Sequence, residues 1–168
     1  ITHPIELHDV LEFELNDEDV LVGSKFTDDI ILVTLNLFKK HYKIDSCVKI
    51  TITKRIPSGA GLGGGSADAA ATLRGLNKLF EVNASLDELA ELAIEIGADV
   101  PMCLFNRPAE VKGIGEFLKF TTLLQWDILL AIPNCKVSTA EVFSKTNQIE
   151  MKKNSTNNIL NAISNKDL

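Results

Sequence analysis

The residues with the most chemistry in this chain are Pro57-Ser58-Gly59-Ala60-Gly61-Leu62-Gly63-Gly64-Gly65-Ser66, with five glycines between Ser58 and Ser66. Glycine takes positive φ angles and lets a ligand reach the backbone without meeting a Cβ. The segment stands between an alternating run, Val48 to Lys54, and a helical pattern whose Ala69, Leu73, Leu76 and Phe80 share one face. A helix start offers unpaired N–H groups and the positive end of its dipole, so this combination is an anion site suited to phosphate. A flexible linker or packing loop is the plainer reading, but each glycine at a structured junction costs order, and five need a reason.

Gly59 to Gly64 satisfies the dinucleotide pattern GxGxxG, and Glu81 follows at roughly the 20-residue spacing of the ribose-binding acid. That fold needs a strand directly after the helix, ending at the acidic residue. Here Ser85-Leu86-Asp87-Glu88, a capping box, opens another helix instead. A Walker A loop would carry lysine before its Ser or Thr, whereas this loop ends Gly65-Ser66. The His-Arg-Asp and Asp-Phe-Gly signatures of protein kinases are absent from the sequence. What remains is a phosphate loop of another kind.

The elements that must hold this loop follow from pattern. Leu11-Glu12-Phe13-Glu14-Leu15 alternates as a half-buried strand, and Asn16 to Lys25 reads as polar turn. Thr27-Asp28-Asp29 supplies N-cap side chains for a helix to about Tyr42, with Ile31, Leu35, Phe38 and Tyr42 on its apolar face. The helix opened by Ser85 should stop at a left-handed Gly97. Cys103 to Phe105, Ala109 to Lys112 and Ile128 to Ile132 read as strands; Glu141 to Lys145 and Asn158 to Ile163 read as short helices. Strands and helices in this order predict an α+β fold.

Composition narrows the function. With 168 residues, 45% hydrophobic and 24% charged, the chain can bury a core of one domain or slightly more. A net charge of −6 supplies no basic stripe for nucleic acid or an anionic membrane. No apolar run is long enough to span a bilayer. Cys47, Cys103 and Cys135 lie far apart, without ligand spacing, and read as reduced core thiols of a cytoplasmic protein. His3, His8 and His41 lack partners at useful spacing, and Trp126 reads as half-buried packing.

Four segments together resemble a known family. Lys54-Arg55-Ile56-Pro57 through Gly61-Leu62-Gly63-Gly64-Gly65-Ser66-Ala67-Asp68-Ala69-Ala70 is similar to the second motif of the GHMP kinases, a superfamily of small-molecule kinases. Gly97-Ala98-Asp99-Val100-Pro101 resembles the catalytic segment, Gly113-Ile114-Gly115-Glu116 the Gly-x-Gly-Glu turn, and Pro133 through Val137-Ser138-Thr139 to Phe143 a further family stretch. The triple glycine before serine is typical of the branch whose acceptor is 4-diphosphocytidyl-2-C-methylerythritol, on the non-mevalonate route to isoprenoids.

The resemblance implies a GHMP kinase fold, with a ribosomal-protein-S5-like ATP-binding domain over residues 1–120 and the start of a ferredoxin-like C-terminal domain over 121–168. It implies transfer of the γ-phosphoryl of ATP, with Mg²⁺, to the 2-hydroxyl of that small-molecule acceptor. Gly59 and Gly61 to Ser66 would hold the phosphates, Pro57 would lead into the loop, and Lys54 would lie near the nucleotide or be a solvated strand-end lysine. Ser66 would face Mg²⁺ or cap the helix. Asp99, between a helix stop and a Val-Pro step that favours extended backbone, would accept the hydroxyl proton; without the resemblance it reads as a capping or turn residue. Asp29 would meet the adenine or serve as a plain N-cap, and Thr139 would line the acceptor site.

There are departures. The family's first strand, with a lysine near the reacting hydroxyl, and its Tyr-His pair do not precede Ile1, and the glycine-rich third motif does not occur by Leu168. Asp29 stands where the family usually has Asn, and Ala67 replaces a common second serine. A chain beginning inside the domain is therefore expected, with an exposed sheet edge that allows a homodimer. An incomplete kinase and a non-catalytic nucleotide-binding module are both consistent with these residues, as is a GHMP kinase with another acceptor.

Overall fold

In the computed structural model, residues 1–24, 29–122, 127–132, 144 and 156–165 are described. Their layout starts from β1 (Val10–Asn16), β2 (Val20–Val22) and β3 (Cys47–Thr53), which form a sheet in the order β1-β3-β2. β1 runs antiparallel to β3, pairing Val10 with Thr53 and Phe13 with Ile50. β2 runs parallel to β3 on the other side, pairing Leu21 with Ile50. Val48, Ile50 and Ile52 alternate into the core from the central strand, as a period of two requires.

The helices cover that apolar face. α1 (Ile30–Tyr42) buries Ile31, Thr34, Leu35 and Phe38, and its last turn carries Lys39, Lys40 and His41, favourable at the negative end of its dipole. α2 (Gly64–Leu79) buries Ala69, Ala70, Leu73 and Leu76, and packs so closely on β1 that a Cβ at Gly75 would overlap the Phe13 ring. α3 (Leu86–Ile96) starts on the expected capping box: Ser85 Oγ accepts from Glu88 N at 3.2 Å, and Glu88 accepts from Ser85 N at 2.8 Å. α4 (Val100–Phe105) follows, then the hairpin β4 (Ala109–Lys112) and β5 (Phe117–Phe120). α5 (Thr156–Asn165) covers the helix expected at Asn158 to Ile163.

The α+β reading holds, while several local expectations do not. Within the polar stretch after Asn16, β2 is too short to show alternation, and only its partner β3 makes it a strand. Cys103 to Phe105 is the end of α4 rather than a strand; a short apolar run does not distinguish the two. Val100 is accordingly helical, not extended, with Pro101 in the first turn, where a missing N–H breaks no helix bond. Gly97 ends α3, but with φ 174° and ψ 153° it is extended, not left-handed, while its N–H still reaches Ala93 O at 3.2 Å. β5 was missed because its partner is β4 across a turn. Residues 128–132 form no strand. From 121 onward the described residues hold α5 and no strand. Thr27, Asp28, Trp126, Cys135, the stretch 133–143 with Thr139, and most of Glu141 to Lys145 lie outside the described residues.

Candidate active site

The glycine segment leaves β3 at Thr53 and enters α2 at Gly64. Gly59, Gly61 and Gly63 have φ of 74°, 71° and 66°, and a Cβ at any of them would meet nothing within 4 Å. These glycines are therefore demanded by backbone conformation, and the space above them is open to a ligand. Gly63 is the N-cap and offers no side chain, so the first amides of α2 have no side-chain cap; no acidic residue lies in that first turn. The first helical bond runs from Ala67 N to Gly63 O at 2.9 Å. Amides of Gly64, Gly65 and Ser66 thus lie at the positive end of a helix without intrahelical acceptors. Ser66 is inside the first turn, which removes the capping alternative for it.

Beneath this helix end lies a charged cluster. Lys54 Nζ donates to Asp9 Oδ2 at 2.5 Å and to Asp68 Oδ2 at 2.7 Å. A Cβ on Gly64 would stand 3.6 Å from that ammonium, so Lys54 sits directly under the first residue of α2. Asp9 Oδ1 also accepts the backbone N–H of Arg55 at 2.5 Å and of Ile56 at 2.8 Å, which ties the segment before β1 to the entry of the loop. Burial works to raise the Asp9 carboxyl, but Lys54 and the two amides outweigh it and hold it below its ordinary value. Burial dominates at Asp68 and pushes it up to about 6 despite the hydrogen bond from Lys54. Burial also opposes the charge of Lys54, but its two carboxylates prevail and raise it.

Asp99 arrives from another part of the chain. It occupies the N-cap position of α4, but its side chain makes no capping bond, so its carboxylate is not spent on the helix. Behind it, Gly115 has φ 110°, and a Cβ there would run into the carbonyl of Ala98. The Gly113-to-Glu116 turn is closed by Ile114 N donating to Glu116 Oε2 at 2.6 Å. This turn backs the backbone that presents Asp99. Arg74, on α2, donates to Leu104 O at 2.9 Å and Cys103 O at 3.3 Å, satisfying the end of α4. The Cys103 thiol is pushed up to about 11, first by burial and then by the nearby Asp99 charge.

A cleft of about 620 Å³ joins these parts, lined by Gly61, Leu62, Gly63, Asp68, Asp99 and Arg74 among others. Another wall is the segment from Thr2 to Asp9, which includes His3 and His8. Thr2 pairs with Ala109 through N–H···O bonds of 2.8 and 3.2 Å, so this segment is fixed at both ends. Asp29 stands apart from the cleft lining: it is the N-cap of α1, accepting from Ile31 N at 2.9 Å and from Ser24 Oγ. Pro57, Gly59, Gly64, Gly65 and Ser66 flank the lining residues along the loop and helix start. Sequence reasoning missed Asp9, which has no local signal, and Asp68, whose only signal is an acid two residues past Ser66, and assigned no role to His3 and His8.

A glycine loop opens a helix on an α+β scaffold and shares a cleft with an aspartate that makes no capping bond, and residues 29–107 match the family model described as "GHMP kinases N terminal domain". Its relatives narrow this further. A curated protein of Thermoanaerobacter pseudethanolicus named 4-diphosphocytidyl-2-C-methyl-D-erythritol kinase is 39% identical over 160 residues, covering 90% of this chain and 54% of that protein. One of Pseudoalteromonas translucida with the same name is 43% identical over 142 residues, covering 81% and 50%. A crystal structure of 4-(cytidine 5'-diphospho)-2C-methyl-D-erythritol kinase superposes with a TM-score of 0.73 at 30% identity, covering 95% of this chain and 59% of that one. Homoserine kinase from Cytophaga hutchinsonii, 19% identical with a TM-score of 0.65 and covering 93% and 57%, shares the fold. The chain spans about half the length of the curated relatives it matches.

Proposed function

We propose that the protein carrying this chain transfers the γ-phosphoryl of ATP to the 2-hydroxyl of 4-diphosphocytidyl-2-C-methyl-D-erythritol, a step of non-mevalonate isoprenoid synthesis in the cytoplasm. The observation that carries the reading is one cleft lined both by Gly61 to Gly63 and by Asp99, whose carboxylate does no capping. The names of the relatives support the acceptor. In this reading residues 1–120 form the nucleotide-binding domain and 121–168 open the next.

Phosphoryl transfer depends on positioning and on donors around the phosphates. Amides of Gly61 to Ser66 and the α2 dipole hold the β- and γ-phosphates, with Pro57 and Gly59 shaping the loop, and Lys54 adds a cation below. Asp99 accepts the proton of the attacking hydroxyl. Among the described residues no three acidic, His or Cys side chains gather as a metal site. Mg²⁺ would come with the triphosphate, with the Ser66 hydroxyl as a protein ligand, and would neutralise phosphate charge. Asp29 can accept from the adenine amino group with a lone pair left over from its bonds to Ile31 N and Ser24 Oγ. The acceptor-side role read for Thr139 belongs to the same proposal. No helix among the described residues is long and apolar enough to cross a membrane. Among those residues β1 has no partner on its outer edge, so self-association there belongs to the same proposal.

The test is ³¹P NMR of ATP, Mg²⁺ and the acceptor with this chain and with the full-length protein, beside calorimetric titration with a non-hydrolysable ATP analogue. Gly64→Val should abolish analogue binding. Asp99→Asn should leave it intact and lower transfer by about 10²-fold or more. Binding without transfer by the full-length protein would mean a nucleotide-binding module. An analogue that binds equally well with valine at position 64 would remove the phosphate from the loop.

A further inference from the structure

Lys54 is the ammonium set under the start of α2, yet two carboxylates already claim it. These carboxylates differ in what else compensates them. Asp9, with a side chain only 2% exposed, keeps two backbone N–H donors, from Arg55 and Ile56, if Lys54 leaves. Asp68 is 5% exposed, and its Oδ1 has no hydrogen-bond partner among the described residues. Its Oδ2 depends on Lys54. Removing the partner of a buried charge is strongly unfavourable. With one positive and two negative charges, the cluster also carries a net charge of −1 directly below the helix end.

We propose that Asp68 sets nucleotide affinity by holding Lys54 down, so that a nucleoside triphosphate on the glycine loop must compete with this carboxylate for the ammonium. Asp68 is then a positioning residue that acts through Lys54 and makes the site bind more weakly than its amides and lysine would alone. The inference rests on reading the glycine loop as the triphosphate site. It differs from a general charge effect in requiring Lys54: without that side chain, Asp68 would act on the phosphates only through space.

A double-mutant cycle separates the two. Wild type, Asp68→Asn, Lys54→Met and the double variant are titrated calorimetrically with the ATP analogue and with inorganic tripolyphosphate, each checked for folding by circular dichroism. Asp68→Asn should tighten both ligands about tenfold, a change of about 1.4 kcal/mol. In the Lys54→Met background the same change should have less than about a third of that logarithmic effect. Should Asp68→Asn fail to fold, Asp68→Ala takes its place in the cycle. Unchanged or weaker binding by Asp68→Asn, or equal tightening with and without Lys54, overturns the proposal. If none of the four folded proteins binds, the glycine-loop reading fails too; failure of the restraint alone leaves wild-type binding intact and sensitive to Gly64→Val.

Discussion

Two glycine-bearing segments of this molecule use their glycines in opposite ways. In the loop before α2, Gly59, Gly61 and Gly63 take positive φ with nothing within 4 Å of where a Cβ would stand. In the turn before β5, Gly115 also takes positive φ, but the missing Cβ is replaced by the Ala98 backbone. The first segment leaves that space open; the second fills it with the chain itself. A substitution in the first should therefore be read mainly in binding, and one in the second mainly in folding.

The largest effect is expected where the chain has filled the space. Gly115→Ala adds a clash with backbone to a strained φ and should lower stability by roughly 3 kcal/mol or more. Denaturant unfolding of parent and variant measures this; a change within 0.5 kcal/mol, near the noise expected of a surface substitution, would erase the contrast between the segments.

The charged cluster beneath the start of α2 supplies the next. Burial pushes the Asp68 carboxyl up to about 6, above the usual carboxylate range, so its contribution to stability is complete below that range and is lost as pH rises through about 6. Asp68→Asn should thus be more stable than the parent at pH 8, by on the order of 2 kcal/mol. The gap should close by pH 4. Thermal midpoints across this range give the sign directly, and a parent that is the more stable at pH 8 would contradict it.

In the open loop, Gly63→Ala costs only the left-handed strain, about 1–2 kcal/mol. Analogue affinity should fall by more than that stability loss suggests, since the N-cap of α2 would be rebuilt. If affinity is untouched while the fold weakens, the loop is structural and the contrast is lost. As a reference away from both segments, Ser85→Ala should cost about 1 kcal/mol through the capping box alone, without altering analogue binding.

Much of this was legible in sequence because it is local. The capping box at Ser85, the alternation of β3 and the apolar face of α1 are set by residues within a turn or two of each other. The glycine loop was legible because a strand leads into it and a helix out of it. Misread elements were those whose state depends on a distant partner. β2 is a strand because β3 lies beside it, and Cys103 to Phe105 is helical because α4 packs against α2 and α3. Gly97 still ends its helix, with extended backbone rather than the left-handed conformation its residue type suggests.

The sequence by itself determined a phosphate-suited loop at a helix start and an aspartate in a Gly-Ala-Asp-Val-Pro segment, because both are short patterns whose chemistry lies in consecutive residues. Tertiary structure alone decided that the two share a cleft, that Asp99 is free of its helix, and that Asp9 and Asp68 grip Lys54 across separations of 45 and 14 residues. The physical reason is range. Backbone conformation and capping are settled by near neighbours, whereas burial of a charge and the identity of its partner depend on which distant surfaces the core brings together.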